Sequence, residues 1–212
     1  LLHHIGRETF LSKVTWNDEW PVVGDNGYVE LEYADGPEQI TSKDYSVSFD
    51  KDISSYPYLK VRVPKDECYI LDKDKKTLTL IGEEPINTFL GHPTLLAFRQ
   101  KGFHEKMEVT LDTSTLKGTA GIASWLSSDY HYRLESKKDD VNLNISLIRH
   151  LHDFEAVTEQ LTLPLSTTLR LTITSDEDFY YFYADSQLVG KASVYGLANE
   201  STMYNTFTGA LF

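Results

Sequence analysis

Phe103-His104-Glu105-Lys106-Met107-Glu108-Val109-Thr110-Leu111-Asp112 carries Phe103, Met107, Val109 and Leu111 at odd positions and His104, Lys106, Glu108, Thr110 and Asp112 at even ones. Successive side chains of a strand point to opposite faces, so this period of two describes a strand with one buried and one wet face. Only Glu105 breaks it. The same alternation recurs at Val29-Leu31-Tyr33, Leu78-Leu80, Val141-Leu143-Ile145-Leu147 and Leu169-Leu171-Ile173, each bounded by polar, Gly or Pro positions that suit turns. Tyr130-His131-Tyr132-Arg133-Leu134 and Phe179-Tyr180-Tyr181-Phe182-Tyr183 put rings on both faces, which predicts strands inside a sheet or facing a groove. Ser175-Asp176-Glu177-Asp178 and Asp185-Ser186-Gln187 read as hairpin turns, so residues 168–192 are expected to form a three-stranded meander. With many short strands and no convincing amphipathic helix between them, the expected fold is all-β, a two-sheet antiparallel β-sandwich.

The composition agrees. Of 212 residues 41% are hydrophobic and 12% aromatic, enough to bury a substantial core in one domain. The formal net charge of −12 would repel phosphate backbones and anionic membrane faces, so neither nucleic acid nor membrane is an expected partner. No stretch approaches the roughly 20 apolar residues that span a bilayer. Cys68 is the single cysteine, which excludes an internal disulfide framework, and it is read as a strand residue. The abrupt start at Leu1-Leu2-His3-His4 suggests a fragment of something longer.

The first part of the chain differs. To about Thr41 it has few clean strands and carries Trp16, Trp20, Pro21, Gly24 and Gly27, which suits a connector docking by its rings, and 36–44 reads as a polar loop. The expected division is residues 1–40 as a connector packing on the sandwich and on a further domain, and 41–212 as the sandwich itself.

Candidate chemistry is sparse. Glycoside hydrolysis needs two carboxylates held at a set separation. The adjacent pairs Glu83-Glu84 and Asp139-Asp140 would point to opposite faces of a regular strand, so no catalytic residue is expected. His150 and His152 would share a strand face and could join Asp153 around a metal, but two imidazoles on a solvated strand end are the stronger reading. Asp72-Lys73-Asp74 and Asp176-Glu177-Asp178 are acid-rich loops without an ordered calcium-loop signature, so neither a metal nor any other cofactor is expected. Trp16, Trp20, Trp125 and the tyrosines could form a sugar-binding surface, although most aromatic residues of a sandwich are core.

Several strings carry a resemblance. Gly6-Arg7-Glu8-Thr9-Phe10, Val14-Thr15-Trp16, Trp20-Pro21-Val22-Val23, Leu59-Lys60-Val61-Arg62-Val63-Pro64, Leu78-Thr79-Leu80-Ile81-Gly82, His92-Pro93-Thr94-Leu95-Leu96-Ala97-Phe98-Arg99-Gln100 and Phe207-Thr208-Gly209-Ala210 follow one another in the order seen at the C-terminal end of family-43 glycoside hydrolases of the β-xylosidase type. The chain resembles that C-terminal sandwich over nearly its whole length. The resemblance implies a concanavalin A-like jelly roll whose partner is a catalytic propeller in the same polypeptide. It also implies that the chain alone is inactive although part of a β-xylosidase or arabinofuranosidase. Phe207 would then enter the pocket that holds a xylo-oligosaccharide substrate. A core position on a strand is the competing reading of Phe207, a free-standing carbohydrate-binding module for xylan-like glycans is the competing function, and homo-oligomerisation is left open. Two departures stand out. Ala97-Phe98-Arg99-Gln100 keeps only the second of two arginines usual there, and the chain stops at Leu211-Phe212 where relatives continue into another strand. Either the fold is incomplete or its last strand has been removed, which would leave an edge or an exposed groove.

Overall fold

The computed structural model describes residues 3–7, 12–25, 27–29, 44–204 and 206–212. Among the described residues twelve strands follow one another: β1 (Val14–Asn17), β2 (Trp20–Val23), β3 (Tyr69–Asp72), β4 (Thr77–Leu80), β5 (Lys106–Asp112), β6 (Thr119–Ser127), β7 (Tyr130–Lys138), β8 (Asn142–Leu151), β9 (Phe154–Pro164), β10 (Thr168–Ser175), β11 (Phe179–Ala184) and β12 (Gln187–Ser193). Two four-stranded antiparallel sheets, ordered β6-β7-β8-β9 and β12-β11-β10-β5, make the sandwich. Among the described residues no helix is long and apolar enough to cross a membrane.

The meander expected from Thr168 onward is β10-β11-β12. Asp185 and Ser186 both adopt positive φ, 45° and 69°, the backbone that lets a two-residue loop follow the right-handed twist of its flanking strands. Inward-facing Leu169, Leu171, Ile173, Tyr180 and Phe182 are fully buried and meet Leu134, Leu143, Ile145 and Leu147 of the opposite sheet. Each such side chain contributes roughly 1.5–3 kcal/mol relative to exposure. β7 and β11 carry rings on both faces because each is an interior strand of its sheet.

Other positions depart from expectation. Val14–Asn17 and Trp20–Val23 pair as a hairpin around Asp18 and Glu19, both at positive φ, in a segment read as nearly strandless. Cys68 is buried at the end of a 3₁₀ turn, Asp66–Cys68, directly before β3, and not in a strand. Val29-Leu31-Tyr33 and the polar loop at 36–44 fall almost wholly outside the described residues.

The chain forms two compact units, Leu1–Arg7 with Ser48–Phe212, and Glu8–Val47. The second holds the β1–β2 hairpin, on which Trp16 and Trp20 are 71% and 74% exposed. In the first, the terminal residues act as an added strand. Leu211 exchanges backbone hydrogen bonds of 2.8 Å with Trp125 on one side, and on the other Phe98 and Phe212 exchange a second such pair, also of 2.8 Å. Ala210, Leu211 and Phe212 are buried there.

A cleft at Phe207

Phe207 stands three residues before that anchored end and is 51% exposed. A polar or small residue would be the ordinary occupant of such a loop, so an exposed ring on a firmly held backbone needs an explanation. The chain reaches it from β12 through two short 3₁₀ turns, Val194–Leu197 and Asn199–Ser201, the first capped by the Ser193 hydroxyl, which accepts from the Tyr195 N–H at 3.2 Å. Asn199 Oδ1 accepts from the Thr206 N–H at 2.7 Å and pulls the loop closed.

Against this loop lies a strap, His3–Arg7. The Ala210 N–H donates to the His4 carbonyl at 2.7 Å and the Arg7 N–H to the Phe207 carbonyl at 3.4 Å. Between these bonds the two backbones touch. Gly6 has φ +90° and Gly209 φ +72°, a region where only glycine is at ease. A Cβ on Gly6 would come within 2.8 Å of the Gly209 nitrogen, and one on Gly209 within 2.3 Å of the Ile5 carbonyl. The crossing brings the Arg7 guanidinium over the Phe207 ring, 3.9 Å from its centroid. The result is a cleft of about 350 Å³ lined by His3, Gly6, Arg7, Asn199, Thr206 and Phe207.

The strap is held from below by His4. Its ring is fully buried, packs on Phe103 and edge-on against Tyr180, with centroids at 5.5 and 6.1 Å, and makes no hydrogen bond among the described residues. Burial holds its pKa below the ordinary value against a smaller opposing pull from Glu200, so it is neutral at pH 7. Glu200 itself pairs with the His3 ring and accepts from the His3 N–H at 3.2 Å, and those bonds, the ring contact first, keep its carboxyl below the usual range. Deeper still, Tyr180 donates its hydroxyl to Gln100 Oε1 at 2.7 Å, and the Gln100 amide donates to the Gly102 carbonyl and to Ser175 Oγ. Gln100, the residue after the retained arginine, therefore ties the added strand to the core.

Among the described residues the lining of the cleft supplies an imidazole and a guanidinium but no carboxylate. Glu83 pairs with Lys65, while Glu84 accepts from the His92 N–H at 3.0 Å. Asp139 accepts from the Val141 and Asn142 N–H groups and from the Asn144 amide, so it serves a turn.

The histidines proposed as metal ligands separate. β8 ends at Leu151 and His152 turns into positive φ, which breaks the strand alternation that would have aligned the two rings. His152 lies parallel to Tyr130, while His150 stacks on His131 at 4.9 Å and meets Glu155 at 2.9 Å. No group of three potential ligands converges among the described residues. In the acid-rich loops, Asp72 binds Lys75, and Asp176 accepts from the Asp178 and Phe179 N–H groups and the Tyr181 hydroxyl.

His131 was invisible as part of any cluster. Strand register brings it opposite His150 and beside Arg133, whose guanidinium donates to it at 3.0 Å and to Glu155 at 2.9 Å. Burial first, then the Arg133 charge, pushes its pKa down to about 3. Arg133 keeps its charge because Glu155 and Glu135 outweigh the cost of burying it.

The sequence profile of the family described as "Beta xylosidase C-terminal Concanavalin A-like domain" matches residues 46–212. A non-reducing end alpha-L-arabinofuranosidase of Bacteroides ovatus, BoGH43B, is 27% identical over 97% of this chain and 40% of its own length. A β-xylosidase of Bacillus subtilis is 23% identical over 85% of the chain and 36% of its own. The chain thus spans about 40% of the curated relatives it matches. Among solved structures, the Bacteroides ovatus xyloglucan-locus GH43B superposes with a TM-score of 0.82 at 24% identity, and the Bacillus licheniformis GH43 protein BlXynB with 0.83 at 18%; each covers 99% of this chain and 43% of the other. With the profile accounting for well over half of the residues, the chain belongs to the C-terminal concanavalin A-like domain family of β-xylosidases.

Proposed function

We propose that the chain is the non-catalytic accessory domain of a glycoside hydrolase that cleaves xylan-derived oligosaccharides. In this reading it packs against a catalytic propeller in the same polypeptide and lends Phe207 to the substrate pocket. The observation that carries the reading is the half-exposed Phe207 ring, braced by Arg7 on a backbone with no slack, in a cleft that offers no carboxylate. A pocket that cuts single sugars from a chain end needs a wall that excludes water and stacks on a ring, and a fixed phenyl group provides one. The β1–β2 hairpin, with Trp16 and Trp20 exposed, supplies apolar surface suited to docking on a neighbouring domain. The test is Phe207→Ala in the full-length enzyme with xylobiose. A fall in kcat/KM of about tenfold, or ~1.4 kcal/mol of transition-state binding, with an unchanged melting temperature supports the role. An unchanged kcat/KM removes Phe207 from the pocket, and hydrolysis of an aryl xyloside by this chain alone would overturn the accessory reading.

A further inference from the structure

The outward face of the β12-β11-β10-β5 sheet has a composition that neither the core nor the cleft at Phe207 uses. Cross-strand register places Lys106, Thr174, Tyr181 and Lys191 in one row and Glu108, Thr172 and Tyr183 in the next. A depression of about 270 Å³ opens over this surface, lined by Lys106, Glu108, Arg170, Thr172, Thr174, Tyr183 and Ser186, and it shares no residue with the cleft. Phe179, Tyr181 and Tyr183 occupy alternate positions of β11, so their side chains rise from the same face at intervals of about 7 Å. All three rings are half-buried.

Three features single this face out from an ordinary wet sheet surface. A register shift between Phe182 and Tyr183 leaves Val189 of β12 as an extra residue beside Tyr183. The Tyr183 and Thr174 hydroxyls make no hydrogen bond among the described residues, leaving donors and acceptors beside the rings. The cations are already engaged: Lys106 pairs with Glu108 at 2.8 Å, Arg170 donates to Ser186 Oγ at 2.7 Å, and Lys191 lies 3.8 Å from the centroid of the Phe179 ring. A surface with aromatic planes, unused hydroxyls and cations that already have partners is matched by a ligand that has apolar C–H faces, many hydroxyl groups and no charge. The interleaved Lys106 and Glu108 side chains and the two threonines are not what the centre of a protein interface carries.

We propose that this face is a binding site for a neutral oligosaccharide, with sugar rings resting on Tyr181 and Tyr183 and hydroxyls bonded by Thr174, Glu108 and Arg170. It would hold substrate polymer near the enzyme without cleaving it. The site is independent of the role given to Phe207, and either can fail alone.

The experiment is calorimetric titration of the protein with xylohexaose and cellohexaose, repeated with Tyr181→Ala, Tyr183→Ala, Thr174→Lys and Phe207→Ala. Binding of at least one hexaose is expected, weakened tenfold or more by each tyrosine variant. Thr174→Lys, which fills the floor without removing a ring, is expected to cause the same loss and guards against a tyrosine variant that misfolds. Absence of binding to both hexaoses at millimolar concentration overturns the proposal. So does binding that survives the tyrosine and Thr174 variants or disappears only with Phe207→Ala.

Discussion

Replacing Gly209 by alanine should unseat the strap that braces Phe207. The new side chain must occupy φ +72°, and its Cβ would fall 2.3 Å from the Ile5 carbonyl. Left-handed backbone costs an alanine about 1 kcal/mol or more. The collision cannot be relieved by a rotamer change, because the atoms it meets are backbone. Residues 3–7 therefore have to move, which removes the Ala210-to-His4 hydrogen bond, worth about 1 kcal/mol, and exposes the buried His4 ring. The total is roughly 3 kcal/mol, or a fall of about 6–12 °C in melting temperature for a protein of this size. Calorimetry or circular dichroism measures the fall, and Gly118→Ala, where a Cβ would meet nothing within 4 Å, is the internal control. The His4 ring protons give a second readout: its pKa lies below the ordinary value in the native protein and should return to about 6.5 once the strap is free. Gly6→Ala should act through the same crossing, so the double variant should cost less than the sum of the two. A melting temperature within about 2 °C of the native protein, with His4 still depressed, would refute the tight crossing.

Three further outcomes follow from the same geometry. Tyr180→Phe leaves buried Gln100 Oε1 without its donor and should cost about 1–3 kcal/mol, read from urea denaturation. Leu171→Ala opens a cavity in the fully buried centre of β10 and should cost about 2–5 kcal/mol with an unchanged denaturant slope. His131 binds its proton at about pH 3 in the fold and near 6.5 when unfolded, so the unfolded state takes up the proton first. Stability is then full above pH 6.5 and is lost as the pH falls, by about 2 kcal/mol at pH 5. His4 acts in the same direction, so His131→Gln should flatten the slope between pH 6.5 and 5 without abolishing it, and an unchanged slope would remove His131 from the account.

What could be read in the sequence and what could not divides along a physical line. β5, β8 and β10 were legible because a half-buried strand writes its own period of two, and Asp185-Ser186 because a two-residue loop needs residues that tolerate positive φ. β9 was missed: a register shift between Leu147 and Ile148 interrupts its pairing with β8, and most of its side chains are exposed. The β1–β2 hairpin was missed because, although Val14, Thr15, Trp16, Val22 and Val23 favour strands, nearly every position is exposed and no buried face writes a period of two. Phe207 was singled out only through resemblance; its exposure and the Arg7 brace depend on a strap about 200 residues away in sequence.

Alternation also conceals sites in this fold. It specifies that outward positions be polar or at least tolerate water, and His131, Arg133, Thr172, Thr174 and Tyr183 all satisfy that condition without revealing what they touch. Which of them meet is decided by register, since a slip of one residue would exchange buried His131, outside the core cluster, with Tyr132 inside it. Register is set in turn by the inward residues and the turns. The buried face therefore decides which polar side chains are gathered on the other one, and a function placed on an outward face becomes visible only after the core has been solved.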